Sequence, residues 1–208
     1  MSDFLNTTEL AKQLSSFHKR YHAFFQRHTV NASEKAFQYL KGLFQAGKKN
    51  IERIEERVPE TQYDPLQYFL SDADWDWNPV NDQIANDADK LLGGKENSAL
   101  YIDETGIPEK GKMSVGVARQ WCGQLGKVDN CQVAVSATLG CDRFSTPVNF
   151  RLYLPEKWTD DKKRCLKAWI PADKIIFKTK HEQALDMIFH AKEEGVRFNR
   201  AGFDAFYG

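Results

Sequence analysis

Over the first ninety or so residues the apolar positions recur every three to four residues, the period of a helix with one buried face. Leu10, Leu14, Phe17, Tyr21 and Phe24 form the first such set, behind Asn6-Thr-Thr-Glu9, which has the spacing of a capping box. Phe37, Leu40 and Phe44 form the second, with Ser33 placed to cap it and Gly47 near its end. A short basic helix carries Ile51 and Ile54 and stops before Pro59; Pro65 then opens another with Leu66, Phe69 and Leu70. Asn78-Pro79 starts the last of the series, with Val80, Ile84, Ala88 and Leu91, closed by Gly93-Gly94.

Beyond Gly93 to Ser98, which makes the best boundary, the period changes to two. Ala99-Leu-Tyr-Ile102 reads as an apolar strand. Val133, Val135, Ala137 and Leu139 alternate with Gln132, Ala134, Ser136 and Thr138, and Val148, Phe150, Leu152 and Leu154 alternate with Asn149, Arg151 and Tyr153. Cys141 to Thr146 connects these two strands as a hairpin. After a polar loop around Lys157 to Asp173, Thr179-x-x-Glu182 caps a helix with Ala184, Leu185, Ile188 and Ala191, ending at Gly195. Val196 to Phe203 forms a last strand leading to Asp204. The predicted class is α+β: a helical domain over 1–95, then a mixed sheet over 96–208 in the order strand, strand, strand, helix, strand. Three antiparallel strands followed by a helix and a parallel strand is the opening of a ribonuclease-H-like sheet.

Composition adds limits. The 208 residues suffice for a sizeable core, and 41% apolar content argues against disorder. No run approaches the roughly 20 apolar residues of a membrane span, and Met1-Ser-Asp-Phe4 lacks the pattern of a signal peptide. A cytoplasmic location is expected. Cys122, Cys131, Cys141 and Cys165 show no Cys-x-x-Cys spacing and no nearby His partner, which argues for reduced thiols over zinc. The net charge of zero hides an asymmetry. Leu10 to Arg53 holds nine Lys and Arg against two Glu, Glu55 to Glu96 holds eleven acids against three bases, and the rest holds seventeen bases against fourteen acids. A basic N-terminal face, with Lys48, Lys49 and Arg53 on its short helix, has the charge to hold a phosphate backbone, although solvated helix faces have the same composition.

The candidate chemistry starts at Asp103, delivered to the end of the strand Ala99 to Ile102. An Asp in that place is also a common turn residue. Asp204 ends the last strand, and in the expected topology the first and last strands are neighbours, so both carboxylates meet at one sheet edge. Hard oxygen donors placed this way suit Mg²⁺ or Mn²⁺. Lys110, Lys112, Arg119 and Lys127, in or after the glycine-rich turn, are placed to hold a phosphate backbone near them, or simply to solubilise a loop. Glu104 points to the opposite face if the strand continues, and the role of Glu109 is open. His181 and His190 do not share a helical face and read as surface residues.

The stretches Asp103-Glu-Thr-Gly-Ile-Pro-Glu-Lys-Gly-Lys112, Ser114-Val-Gly-Val-Ala-Arg-Gln-Trp-Cys-Gly-Gln-Leu-Gly-Lys127 and Asn130-Cys-Gln-Val-Ala-Val135 resemble DDE-superfamily transposases of bacterial insertion sequences. So do Arg151-Leu-Tyr-Leu-Pro-Glu-Lys-Trp158, Phe177-Lys-Thr-Lys180 and Asp204-Ala-Phe-Tyr-Gly208, with weaker matches at Tyr39-Leu-Lys-Gly-Leu43 and Ala73-Asp-Trp-Asp76. The resemblance runs from about Phe37 to the last residue. It implies a ribonuclease-H-like nuclease domain, two Mg²⁺ ions, and cutting and joining of double-stranded transposon-end DNA, and it leaves room for a homo-oligomer. Asp103 then matches the family's first catalytic acid and Asp204 the second. The third acid lies well beyond the second in the family, whereas this sequence has four residues after Asp204. The resemblance therefore implies an incomplete, inactive segment, or a truncated transposase that grips DNA without cutting it.

Overall fold

The computed structural model describes residues 7–27 and 30–204. The chain divides into two compact units, Met1–Val80 and Asn81–Gly208.

The first unit is mainly helical. Helix α1 (Thr7–Tyr21) runs into a 3-10 turn at His22–Phe25, and a minimal antiparallel pair, β1 (Gln26–Arg27) and β2 (Val30–Asn31), leads to α2 (Ser33–Gln45), α3 (Ile51–Arg57) and α4 (Tyr63–Ser71). The expected cap at Asn6 lies outside the described residues. Ser33 does not cap α2. The Asn31 Oδ1 atom accepts the Ser33 N–H at 3.0 Å, and the Ser33 hydroxyl is buried against His22 Nδ1 at 2.6 Å and His18 Nε2 at 3.2 Å. Burial holds the His18 pKa below its ordinary value, with the neighbouring His22 adding to the effect. Asn50 caps α3 by accepting the Arg53 N–H at 3.1 Å. Gly42 lets α2 approach α3, because a Cβ there would collide with Ile54, itself fully buried. Phe25, Phe69 and Trp75 cluster nearby, the last two stacked with centroids 5.5 Å apart. Leu10, Phe17 and Phe44, read from the periodicity as an apolar face, remain exposed.

Helix α5 (Trp77–Leu92) carries the point of division. The period change placed the boundary at Gly93 to Ser98. Packing divides the chain earlier, because Ala85, Ala88 and Leu92 are buried in the core of the second unit.

That unit is built on a five-stranded mixed sheet of β3 (Ala99–Pro108), β4 (Ala118–Cys122), β5 (Lys127–Cys141), β6 (Phe144–Leu152) and β7 (Arg200–Phe203). The path is β4-β5-β3-β7, with β6 also on β5; β7 runs parallel to β3 and every other pairing is antiparallel. Short helices α6 (Glu156–Thr159) and α7 (Lys162–Lys167) precede α8 (Lys180–Glu193), whose start is the expected capping box of Thr179 and Glu182. One face of the sheet is covered. Leu100, Ile102, Val135, Ala137 and Leu139 pack with Ala85, Ala88 and Leu92 of α5 and with Ala184, Met187 and Ala191 of α8. The α+β class and the succession strand, strand, strand, helix, strand are therefore present, with additions.

The additions are informative. Strand β3 continues through Asp103 to Pro108, because β5 pairs with it as far as Pro108 opposite Cys131. Asp103 thus lies within a strand, not at its end. Strand β4 has no alternation of apolar and polar residues to announce it and is held by its backbone ladder to β5. The β5–β6 connection is only Asp142-Arg143, with Asp142 in the left-handed region at φ 54°. A register shift between Ala137 and Thr138 changes the phase of β6. Val148 and Asn149 are buried while Phe150, paired with Ser136, stands exposed.

Candidate functional site

Alternation along β3 sorts its side chains. Leu100 and Ile102 enter the core, and Tyr101, Asp103 and Thr105 face water. The parallel register pairs Tyr101 with Gly202 and Ile102 with Phe203. Asp103 and Asp204 each follow the last pair by one residue, on strands whose spacing is about 4.8 Å, Asp103 still within β3 and Asp204 the first residue past β7. The Asp103 Oδ1 atom accepts the N–H of Glu104 at 2.7 Å, and its carbonyl accepts the Ser136 hydroxyl at 3.2 Å. Both candidate donors are exposed carboxylates, the donor set of a hard cation that keeps much of its water.

Beside Asp103 lies a groove of about 430 Å³, lined also by Tyr101, Thr138, Gly140, Asp142, Arg143, Phe144 and Ser145. Arg143 is a cation that sequence reasoning missed. Its only signal was its place in the hairpin connection, and the reach of that connection toward Asp103 depends on the register of β5 with β3.

Glu104 takes the opposite face, as the continuing strand requires. Its carboxylate pairs with Lys180 Nζ at 2.5 Å, both side chains being only 12–13% exposed, and Lys180 lies over the Tyr153 ring. Glu109 sits just past β3, its N–H bonded to the Asn130 carbonyl at 2.9 Å.

The expected cations fall at two other places. Lys110 and Lys112 are exposed in the loop after β3, which Asn130 pins through its side-chain amide to the carbonyls of Glu109 and Gly111, both at 2.7 Å. Arg119 stands opposite Asn130 in β4, and Lys127 pairs with Asp129 at 2.8 Å, which holds the Asp129 carboxyl below its ordinary range. From Asp103 to Pro108 the strand rises roughly 17 Å, so these cations gather at the far end of β3, not around the acids. In the first unit, Lys48, Arg53 and Arg57 line a groove of about 340 Å³ with Gly47 and Glu56. Arg53 is bonded to Glu56, which lowers the carboxyl's pKa, and Lys49 turns its ammonium to the Ala46 carbonyl. Arg57 is the member of this group that the sequence reading did not single out.

All four cysteines are buried free thiols, and burial together with the neighbouring Cys122 pushes the Cys131 thiol up to about 11. Among the described residues no helix is long and apolar enough to cross a membrane.

No solved structure matches the chain. A protein of Microchaete diplosiphon described as a probable transposase for insertion sequence element IS701 is 30% identical over 178 residues, covering 85% of this chain and 43% of that protein. The chain therefore spans less than half the length of that relative. A family model described as DDE superfamily endonuclease matches residues 20–208, almost the whole sequence, and the chain belongs to that family.

Proposed function

We propose that these residues are the DNA-gripping and first catalytic portion of an insertion-sequence transposase, with Asp103 and Asp204 as two of its metal-binding acids. The observation that carries the reading is the parallel register of β3 and β7, which sets the two acids one step beyond Ile102 and Phe203. Asp103 and Asp204 would hold Mg²⁺ or Mn²⁺ between adjacent strands on the open side of the sheet. When bound, such ions supply activation of a water or DNA 3′-hydroxyl and charge stabilisation at the leaving oxygen. Arg143 is placed to draw a phosphate into the groove beside Asp103. Lys48, Lys49, Arg53 and Arg57 in the first unit, and Lys110, Lys112, Arg119 and Lys127 in the second, would track the DNA backbone.

A second reading is a DNA-binding protein without strand transfer. The cations favour it independently of the acids: Lys48, Arg53 and Arg57 line one groove of the first unit, and Lys110 and Lys112 stand exposed in the loop after β3. Two measurements test the proposal. Binding of the chain to transposon-end duplex is expected to fall steeply with salt, and K48A/R53A/R57A to flatten that slope by roughly two to three. Mn²⁺ binding, followed by paramagnetic resonance, is expected to weaken at least tenfold in both D103N and D204N. A flat salt response overturns the DNA-binding role, and Mn²⁺ binding indifferent to both substitutions overturns the acid pair.

A further inference from the structure

On the covered side of the sheet, three side chains with metal-binding atoms converge away from the acid pair. His190 and Glu194 stand one helical turn apart at the C-terminal end of α8, and Asp82 comes from α5. Their ligand atoms all lie within 4.8 Å of one another, each residue being partly buried. His190 Nε2 and Asp82 Oδ1 are 2.8 Å apart. The Glu194 carboxylate has no hydrogen bond or ion pair among the described residues, although its own N–H closes the helix on His190 O.

Compensation within this group is partial: His190 pairs with Asp82, while the Glu194 carboxylate has no partner among the described residues. Glu194 places a negative charge at a helix C-terminus, where the backbone dipole disfavours one, and a second carboxylate faces it from α5. With a neutral imidazole the three side chains carry two negative charges. A divalent cation balances that charge and takes the lone pairs that the protein leaves unused. One imidazole nitrogen with two carboxylate oxygens is a donor set for a borderline first-row ion such as Zn²⁺ more than for Mg²⁺, which prefers oxygen alone. Donors bound at about 2.0–2.2 Å around one tetrahedral ion sit roughly 3.3–3.6 Å apart, so closing the site asks the widest separation, at most 4.8 Å, to shrink by about 1 Å through side-chain movement.

We infer that Asp82, His190 and Glu194 form a structural site for a divalent transition metal that clamps α8 to α5. Its position gives it a role. Glu194 is followed at once by Gly195, whose φ of 79° turns the chain away from the helix toward β7. Fixing the end of α8 fixes the start of the segment that carries Asp204.

Zn²⁺ titrated into the purified chain against a chromophoric chelator tests the site, with Co²⁺ absorption reporting a nitrogen–oxygen donor set. One ion per chain is expected, with H190Q and E194Q each weakening it by at least about tenfold, the lower end of what even an outer partner contributes. D103N/D204N is expected to leave Zn²⁺ affinity unchanged, which separates this site from the acid pair. E194Q removes no bond seen in the structure and keeps the test valid if H190Q fails to fold. Zn²⁺ binding unaltered in E194Q, or a folded wild-type chain that takes up no Zn²⁺, overturns the inference.

Discussion

On β3, Leu100 and Ile102 are sealed from water, while Tyr101 and Asp103, each one residue further on, stand in it. The same ten-residue strand is thus core on one side and open surface on the other. The covered face owes its state to α5 and α8, which bring Ala88, Leu92, Met187 and Ala191 onto it. The open face holds Asp103, Thr105, Ser136 and Thr138 beside the exposed rings of Tyr101 and Phe150. Stability and chemistry are therefore divided between faces: residues that hold the strand in place do not touch the candidate site, and residues of the site bear little of the packing.

Substitutions on the two faces sharpen this division. Ile102→Ala removes a side chain that is 2% exposed and is expected to cost about 2–5 kcal/mol in denaturant unfolding. If it costs less than about 1 kcal/mol, the covered face is not what holds β3. Thr179→Ala breaks the capping box at the start of α8 and is expected to cost about 1 kcal/mol in the same assay. A loss near that of Ile102→Ala would show that α8 is held by its own start and not by the sheet. Asp103→Asn, on the open face, is expected to shift stability by no more than about 0.5 kcal/mol while weakening Mn²⁺ binding. A large stability loss there would mean that Asp103 serves the fold.

Much of this arrangement was legible in the residues. The period change near Gly93, the alternation of Val133 to Leu139 and the Thr179–Glu182 box each located an element, because each is a local pattern with a local cause. What escaped depended on partners distant in sequence. Nothing in Thr105-Gly-Ile-Pro108 says strand; the ladder to β5 makes it one, and Gly106 permits it, since a Cβ there would press on the Cys122 backbone at 3.0 Å. Phe150 looked like a core residue until the shift at Ala137 and Thr138 turned it outward. For the candidate site, expected strand ends and family resemblance point to Asp103 and Asp204, although Asp103 lies within β3, whereas Arg143 and the Asp82–His190 pair have no such signal. Those rest on hairpin register and on two helices joined across 108 positions of sequence.

The pairing of β7 with β3 also has a meaning for how the molecule comes into being. Ala99 meets Arg200, about 100 residues away along the chain, whereas β5 and β6 meet across a two-residue connection. Hairpins of that kind close early and cheaply, while distant parallel pairings must first meet the entropy of closing a long loop. Asp204 therefore reaches its place, one residue past the β3–β7 ladder, only as the last strand docks. Any chemistry that needs Asp103 and Asp204 together would then belong to the finished fold and not to its early hairpins.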